Sequence, residues 1–143
     1  MRFMVLMIPG DKTVETGKMP DEKAISAMMK YNEELAKAGV LLALDGLHPT
    51  SKGARIKFSG GKRTVVDGPF SEAREVIGGY WLWQVKSKEE AVEWAKRCPA
   101  LEGDTLELRQ VFEMSEFGPE VEKKEAAIVE KIGKQLDANK NRA

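Results

Sequence analysis

Residues 2–8, Arg-Phe-Met-Val-Leu-Met-Ile, place Phe3, Val5 and Met7 on one face of an extended chain and Met4, Leu6 and Ile8 on the other. Two apolar faces predict a strand covered on both sides. Val40 to Leu44 repeats the pattern. The strongest strand pattern spans Val76 to Val85, with Tyr80, Leu82 and Gln84 on one face and Trp81, Trp83 and Val85 on the other. Gly78-Gly79 within it marks a bulge or a close approach of another backbone. Thr105 to Phe112 alternates Leu106, Leu108 and Phe112 against Glu107, Arg109 and Val111. Ala54 to Phe58 and Lys62 to Val66 flank Ser59-Gly60-Gly61 and predict a hairpin. Arg55, Lys57, Lys62 and Arg63 make that hairpin basic, as suits a solvated edge guarded by charge.

Two stretches carry helical periodicity between these strands. In Pro20 to Ala38, Pro20 suits the first helical position and Asp21 and Glu22 the positive end. Ile25, Met28, Met29, Leu35 and Ala36 form its apolar stripe, and Gly39 stops it. Ser87-Lys88-Glu89-Glu90 is a capping box opening a second helix, whose stripe is Ala91, Val92, Ala95 and Cys98 with Trp94 beside them, and Pro99 ends it. Residues 115–143 form a tail beyond a domain at residues 1–114. Gly118-Pro119-Glu120 opens a helix there, with Val121, Ile128, Ile132 and Leu136 roughly aligned and Gly133 interrupting. So narrow a stripe needs another surface, so Ile128 and Ile132 are expected to bury against the core or a second copy.

The order β-α-β-β-β-β-α-β predicts an α+β fold, two helices on one face of a largely antiparallel sheet. The second apolar face has no third layer to cover it. A second copy, packed sheet against sheet, is the economical cover, so a homodimer is expected.

Val65-Val66-Asp67-Gly68-Pro69-Phe70 joins two strand patterns through a rigid corner. Gly68 is expected to supply a positive φ, Pro69 to fix its own φ, and Phe70 to press into the core. Asp67 either caps its own turn or stands at a cleft mouth, where rigid placement serves catalysis and ligand orientation. His48, the only histidine, lies in a loop before Pro49; imidazole moves protons near neutral pH, though a loop histidine is often a bystander. Glu107 and Arg109 form either a weak surface pair or, if their face lines a cleft, a holder for a charged ligand. The candidate site is therefore Asp67 and His48 as catalytic groups, with Arg109 and Glu107 binding ligand.

Composition narrows the classes. The 143 residues carry 23 Lys+Arg and 23 Asp+Glu, a zero formal charge, so direct nucleic-acid or anionic-membrane binding is not expected. One cysteine and one histidine make neither an intramolecular disulfide nor a zinc site within one chain. No metal or cofactor is expected. Gly61-Lys62 lacks the preceding Gly and following Ser or Thr of a phosphate loop, and Gly78-Gly79 is no dinucleotide fingerprint. The apolar run at residues 3–8 is too short for a signal or a span, so a soluble cytoplasmic protein is expected.

Asp67-Gly68-Pro69-Phe70, Glu72, Glu75, Gly78-Gly79-Tyr80, the capped helix ending before Pro99, and Glu107-Leu108-Arg109 together resemble the YCII-related family, in its branch named for the Asp-Gly-Pro-Phe signature. The resemblance covers roughly residues 1 to 113. It implies a ferredoxin-like protomer in a dimeric α+β barrel. Family members suspected to be enzymes carry a histidine in the first helix and an aspartate near the end of the second; here the first helix has no histidine, and Lys96-Arg97-Cys98-Pro99 holds no aspartate. The signature branch often has Lys where this chain has Arg74 and Pro where it has Gln110. That branch is also linked to extracytoplasmic-function sigma factors. Two functions follow as expectations: a homodimeric barrel that binds or processes a small molecule, or a regulatory protein partnered with such a sigma factor.

Overall fold

The computed structural model describes residues 1–70 and 76–142, so Glu72, Arg74 and Glu75 of the resemblance lie outside the described residues. The chain divides into two units, Met1–Val111 and Phe112–Ala143. In the first, β1 (Arg2–Ile8), α1 (Glu22–Lys37), β2 (Leu41–Gly46), β3 (Ala54–Ser59), β4 (Lys62–Asp67), β5 (Gly79–Gln84), α2 (Lys88–Lys96) and β6 (Thr105–Gln110) follow in order. The main sheet runs β2-β5-β1-β6, and every pairing in it is antiparallel. With the β3–β4 hairpin set aside as a separate ribbon, this is the ferredoxin-like βαββαβ arrangement.

The register places Val5 between Trp81 and Leu108. Phe3, Val5, Trp81, Trp83 and Val85 therefore share one face, and they meet Tyr31 and Leu35 of α1 and Ala91 of α2 in the core. At about 25 cal/mol per Å² of apolar surface removed from water, this layer supplies the main drive for folding. Tyr31 stands edge-on to Trp81, ring centroids 6.3 Å apart, and donates its hydroxyl to the Trp94 carbonyl at 2.7 Å, which ties α1 to α2. Trp81 Nε1 donates to Asn32 Oδ1 at 2.8 Å.

Asp21 caps α1 by accepting from Ala24 N at 2.8 Å, so Pro20 precedes the helix instead of opening it. Gly39 ends it at φ +74°, with Val40 N donating back to Leu35 O at 3.0 Å. The buried face of α1 also differs from the expected stripe. Tyr31 and Leu35 face the core, whereas Ile25 and Met29 are exposed. Ser87 caps α2 by accepting from Glu90 N at 3.1 Å, but the Glu90 carboxylate accepts from Lys86 N at 2.7 Å, one residue before the cap, so only the first half of the expected capping box forms.

The opposite face of the sheet presents Met4, Leu6, Ile8, Tyr80 and Leu82, all half-buried. Tyr80 donates its hydroxyl to Asp45 Oδ2 at 2.6 Å, and that bond holds the phenol above its ordinary pKa. The strand expected over Val76–Val85 is shorter. Gly78 N bonds Met7 O and Gly78 O accepts from Leu47 N, so pairing begins at Gly79 while Val76 and Ile77 leave the ladder.

In the second unit, Phe112 packs on Phe117 with centroids 5.5 Å apart. A 3-10 turn at Met114–Phe117 precedes α3 (Pro119–Lys140). Ile128 and Ile132, expected to bury against the core or a second copy, are 53% and 54% exposed in the single copy. Many of α3's other residues are charged, which gives it no broad apolar face.

Candidate functional site

Three segments distant in sequence meet beyond β2. The chain leaves the sheet at Gly46, opposite Gly79, where an added Cβ would sit 3.0 Å from the Asp45 carbonyl oxygen. A 3-10 turn follows at Thr50–Lys52. Glu15, on a 3-10 turn at Lys12–Thr16, accepts from Thr50 N at 3.0 Å through one carboxylate oxygen and from Thr50 Oγ1 through the other. Thr50 Oγ1 in turn accepts from Phe70 N at 3.2 Å. Gly68 N donates to Gly53 O at 3.0 Å. The hydroxyl and amide of Thr50 hold the Glu15 carboxyl below its ordinary pKa.

This frame corrects the sequence account of Gly68. Its φ is not positive. It is glycine because any Cβ would fall 1.7 Å from the Thr50 carbonyl oxygen. The constraint is tertiary, not conformational. The Gly68–Pro69 bond is cis. Phe70 is half-buried beneath the Arg55 guanidinium, which lies 3.9 Å from the ring centroid, so it lines a cleft instead of filling the core.

That cleft has a volume of about 410 Å³, within the range of small-molecule sites. Its described walls are apolar at Leu47, Phe70, Val76 and Ile77, carry positive charge at Lys52 and Arg55 and an imidazole at His48, and include no carboxylate. Neither Lys52 nor Arg55 nor His48 forms an ion pair with a described residue. A second recess, about 300 Å³, runs along α2. There Lys96 pairs with Glu93 at 2.9 Å, Arg97 stacks 3.6 Å over Trp94, and Glu90 and Glu93 bring carboxylates to the walls.

The four residues singled out from sequence fall in different places. His48 lines the cleft. Asp67 ends β4 opposite Ala54, exposed, outside the lining, and without a side-chain bond to a described residue. Glu107 and Arg109 pair at 3.5 Å on the helix-free face of β6, where their side chains are 44% and 71% exposed. β6 is the far edge of the sheet from β2, about 14 Å away at the usual strand spacing. Lys52, Arg55, Phe70 and the Glu15–Thr50 pair are the residues that sequence reasoning missed; the basic hairpin and the Phe70 corner were the signals for two of them. Among the described residues, no three His, Cys, Asp or Glu side chains gather as metal ligands, and no helix is long and apolar enough to cross a membrane.

An uncharacterised protein of Rhizobium meliloti (strain 1021) is 32% identical to this chain over 79 residues, which span 55% of the chain and 64% of that relative. The model of the YCII-related domain matches residues 1–115, which hold the ferredoxin-like sheet, both core helices and the cleft, and the chain belongs to the YCII-related family.

Proposed function

We propose that this chain is a small-molecule-binding protein of the signature branch of the family, acting as a homodimer. The cleft carries this reading. It combines apolar walls with two cationic side chains, Lys52 and Arg55, that no described carboxylate pairs, and the His48 imidazole, on a frame of hydrogen bonds running from Glu15 to Phe70. Preorganised polar groups at an apolar recess are what binding sites require. The helix-free sheet face supports the dimer: Met4, Leu6, Tyr80 and Leu82 lie side by side across β1 and β5. Sheet-to-sheet pairing of two copies would bury them.

A thermal-shift screen across charged and neutral metabolites tests the binding. A compound at a hundred times its Kd stabilises the folded state by about 2.7 kcal/mol, and Phe70→Ala should abolish the shift. A screen in which no compound shifts the parent refutes it. Leu82→Glu should convert a sedimenting dimer to monomer; a parent that sediments as a monomer at micromolar concentration removes the dimer from the proposal.

A second reading, docking of an extracytoplasmic-function sigma factor, draws support from α3, whose Val121, Ile128, Ile132 and Leu136 are all exposed. Ile128→Asp with Ile132→Asp should then abolish sigma-factor binding while leaving ligand binding unchanged. Equal binding by parent and variant rules out α3 as the docking element.

A further inference from the structure

We infer that the cleft selects small organic anions with an apolar body, such as aromatic or branched-chain carboxylates; this rests on the proposal that the cleft is a small-molecule site. Among the described residues, the charge on the walls is one-sided. Lys52 and Arg55 bring positive charge to the cleft with the His48 imidazole beside them, and the described carboxylates nearby are otherwise placed. Glu15 spends both oxygens on Thr50, and Asp67 lies outside the lining. A cationic ligand would meet like charge, and a neutral one would leave Lys52 and Arg55 without a counter-charge from the described walls.

Lys52 and Arg55 supply charged side-chain donors, and two backbone donors of the loop are already used. Lys52 N and Gly53 N already donate to Pro49 O and Thr50 O at 3.0 and 2.9 Å. Arg55 lies over the Phe70 ring, and a guanidinium engaged through its flat face keeps its in-plane N–H fork for a carboxylate. Leu47 and Ile77, 46% and 41% exposed, supply uncovered apolar surface within the same recess for the ligand's body. The ligand therefore needs both a charged end and a hydrophobic end.

The test is a ¹H–¹⁵N NMR titration of the intact chain with phenylacetate, isovalerate and the neutral phenylacetamide. Either carboxylate should shift the amides of residues 47–55 and Phe70 in a saturable way, with phenylacetamide about tenfold weaker or more, as expected for loss of a charge-assisted contact. Arg55→Gln and Lys52→Gln should each weaken the carboxylate by a similar factor while retaining the parent spectrum elsewhere; Arg55→Lys, which keeps charge but loses the fork, should fall between. Phenylacetamide binding the cleft as tightly as phenylacetate overturns the anion preference and leaves the small-molecule site standing. If none of the three perturbs the cleft up to about 20 mM, far above millimolar affinity, both are overturned. Shifts confined to the helix-free sheet face overturn the location.

Discussion

Gly68→Ala tests whether the corner is held by contact with the neighbouring loop. The added methyl would lie 1.7 Å from Thr50 O, 2.5 Å from Thr50 C and 3.2 Å from Ser51 N. All three are backbone atoms, so no side chain can swing aside. Reaching even 3.0 Å demands a displacement of about 1.3 Å, enough to break Gly68 N–Gly53 O and Phe70 N–Thr50 Oγ1. Two lost bonds cost about 2 kcal/mol, and overpacking adds about 1–3 kcal/mol. The reduced entropy of the unfolded alanine chain returns about 0.4–1 kcal/mol. The net destabilisation is about 2–4.6 kcal/mol, or roughly 4–18 °C in Tm for a chain of this size. Urea and thermal unfolding followed by circular dichroism measure it. Gly46→Ala, where a new methyl meets nothing within 4 Å, is the control and should stay within about 0.5 kcal/mol of the parent. A Gly68→Ala protein as stable as the Gly46→Ala protein would refute the reasoning.

Burial and, secondarily, Asp104 push the Cys98 thiol up to about 11, so a disulfide reagent at pH 8 should modify the folded chain at least about tenfold more slowly than the urea-unfolded chain. Because this folded-state pKa is raised from 9.0, Cys98 favours folding fully below pH 9 and loses that contribution as pH rises toward 11; Cys98→Ala should flatten the unfolding profile across this window. Glu15 has the opposite sign: its carboxyl is lowered from 4.5 by Thr50, so its contribution is present above that pH and lost as pH falls below it. Glu15→Gln should remove that acid limb, read as amide exchange in residues 47–53, and an unchanged limb would count against the Thr50 contact. Asp104 accepts from Gly10 N at 3.1 Å and Leu101 N at 3.0 Å, so Asp104→Ala should cost about 1–3 kcal/mol in urea unfolding; a cost below about 0.5 kcal/mol would show that water replaces both bonds.

The strands and helices of the first unit were legible because their apolar periods agree with their burial. Phe3, Val5, Trp81, Trp83 and Val85 are buried on the face that alternation assigned them. The α1 stripe was misassigned because Tyr31 is amphipathic. Its ring packs on Trp81 while its hydroxyl finds the Trp94 carbonyl, and no hydropathy pattern reveals that partner. Asp-Gly-Pro-Phe was legible as a corner, but the reason for its glycine lies in Thr50, eighteen positions earlier. The cleft was the least legible part. Glu15, Thr50, Arg55 and Phe70 come from four separate segments, and no period links them.

The sheet order also bears on how the chain is made. β1 lies between β5 and β6, with Val5 facing Trp81 on one side and Leu108 on the other. Both partners are synthesised long after it. At ribosomal speeds of about 5–20 residues per second, the β6 edge emerges roughly 5–20 s after β1. Through that interval the nascent chain displays six consecutive apolar residues, Phe3 to Ile8, with both backbone edges open. Such high contact order slows folding, and the same strand is the natural docking point for a holdase or, at high expression, for the equivalent strand of another nascent chain.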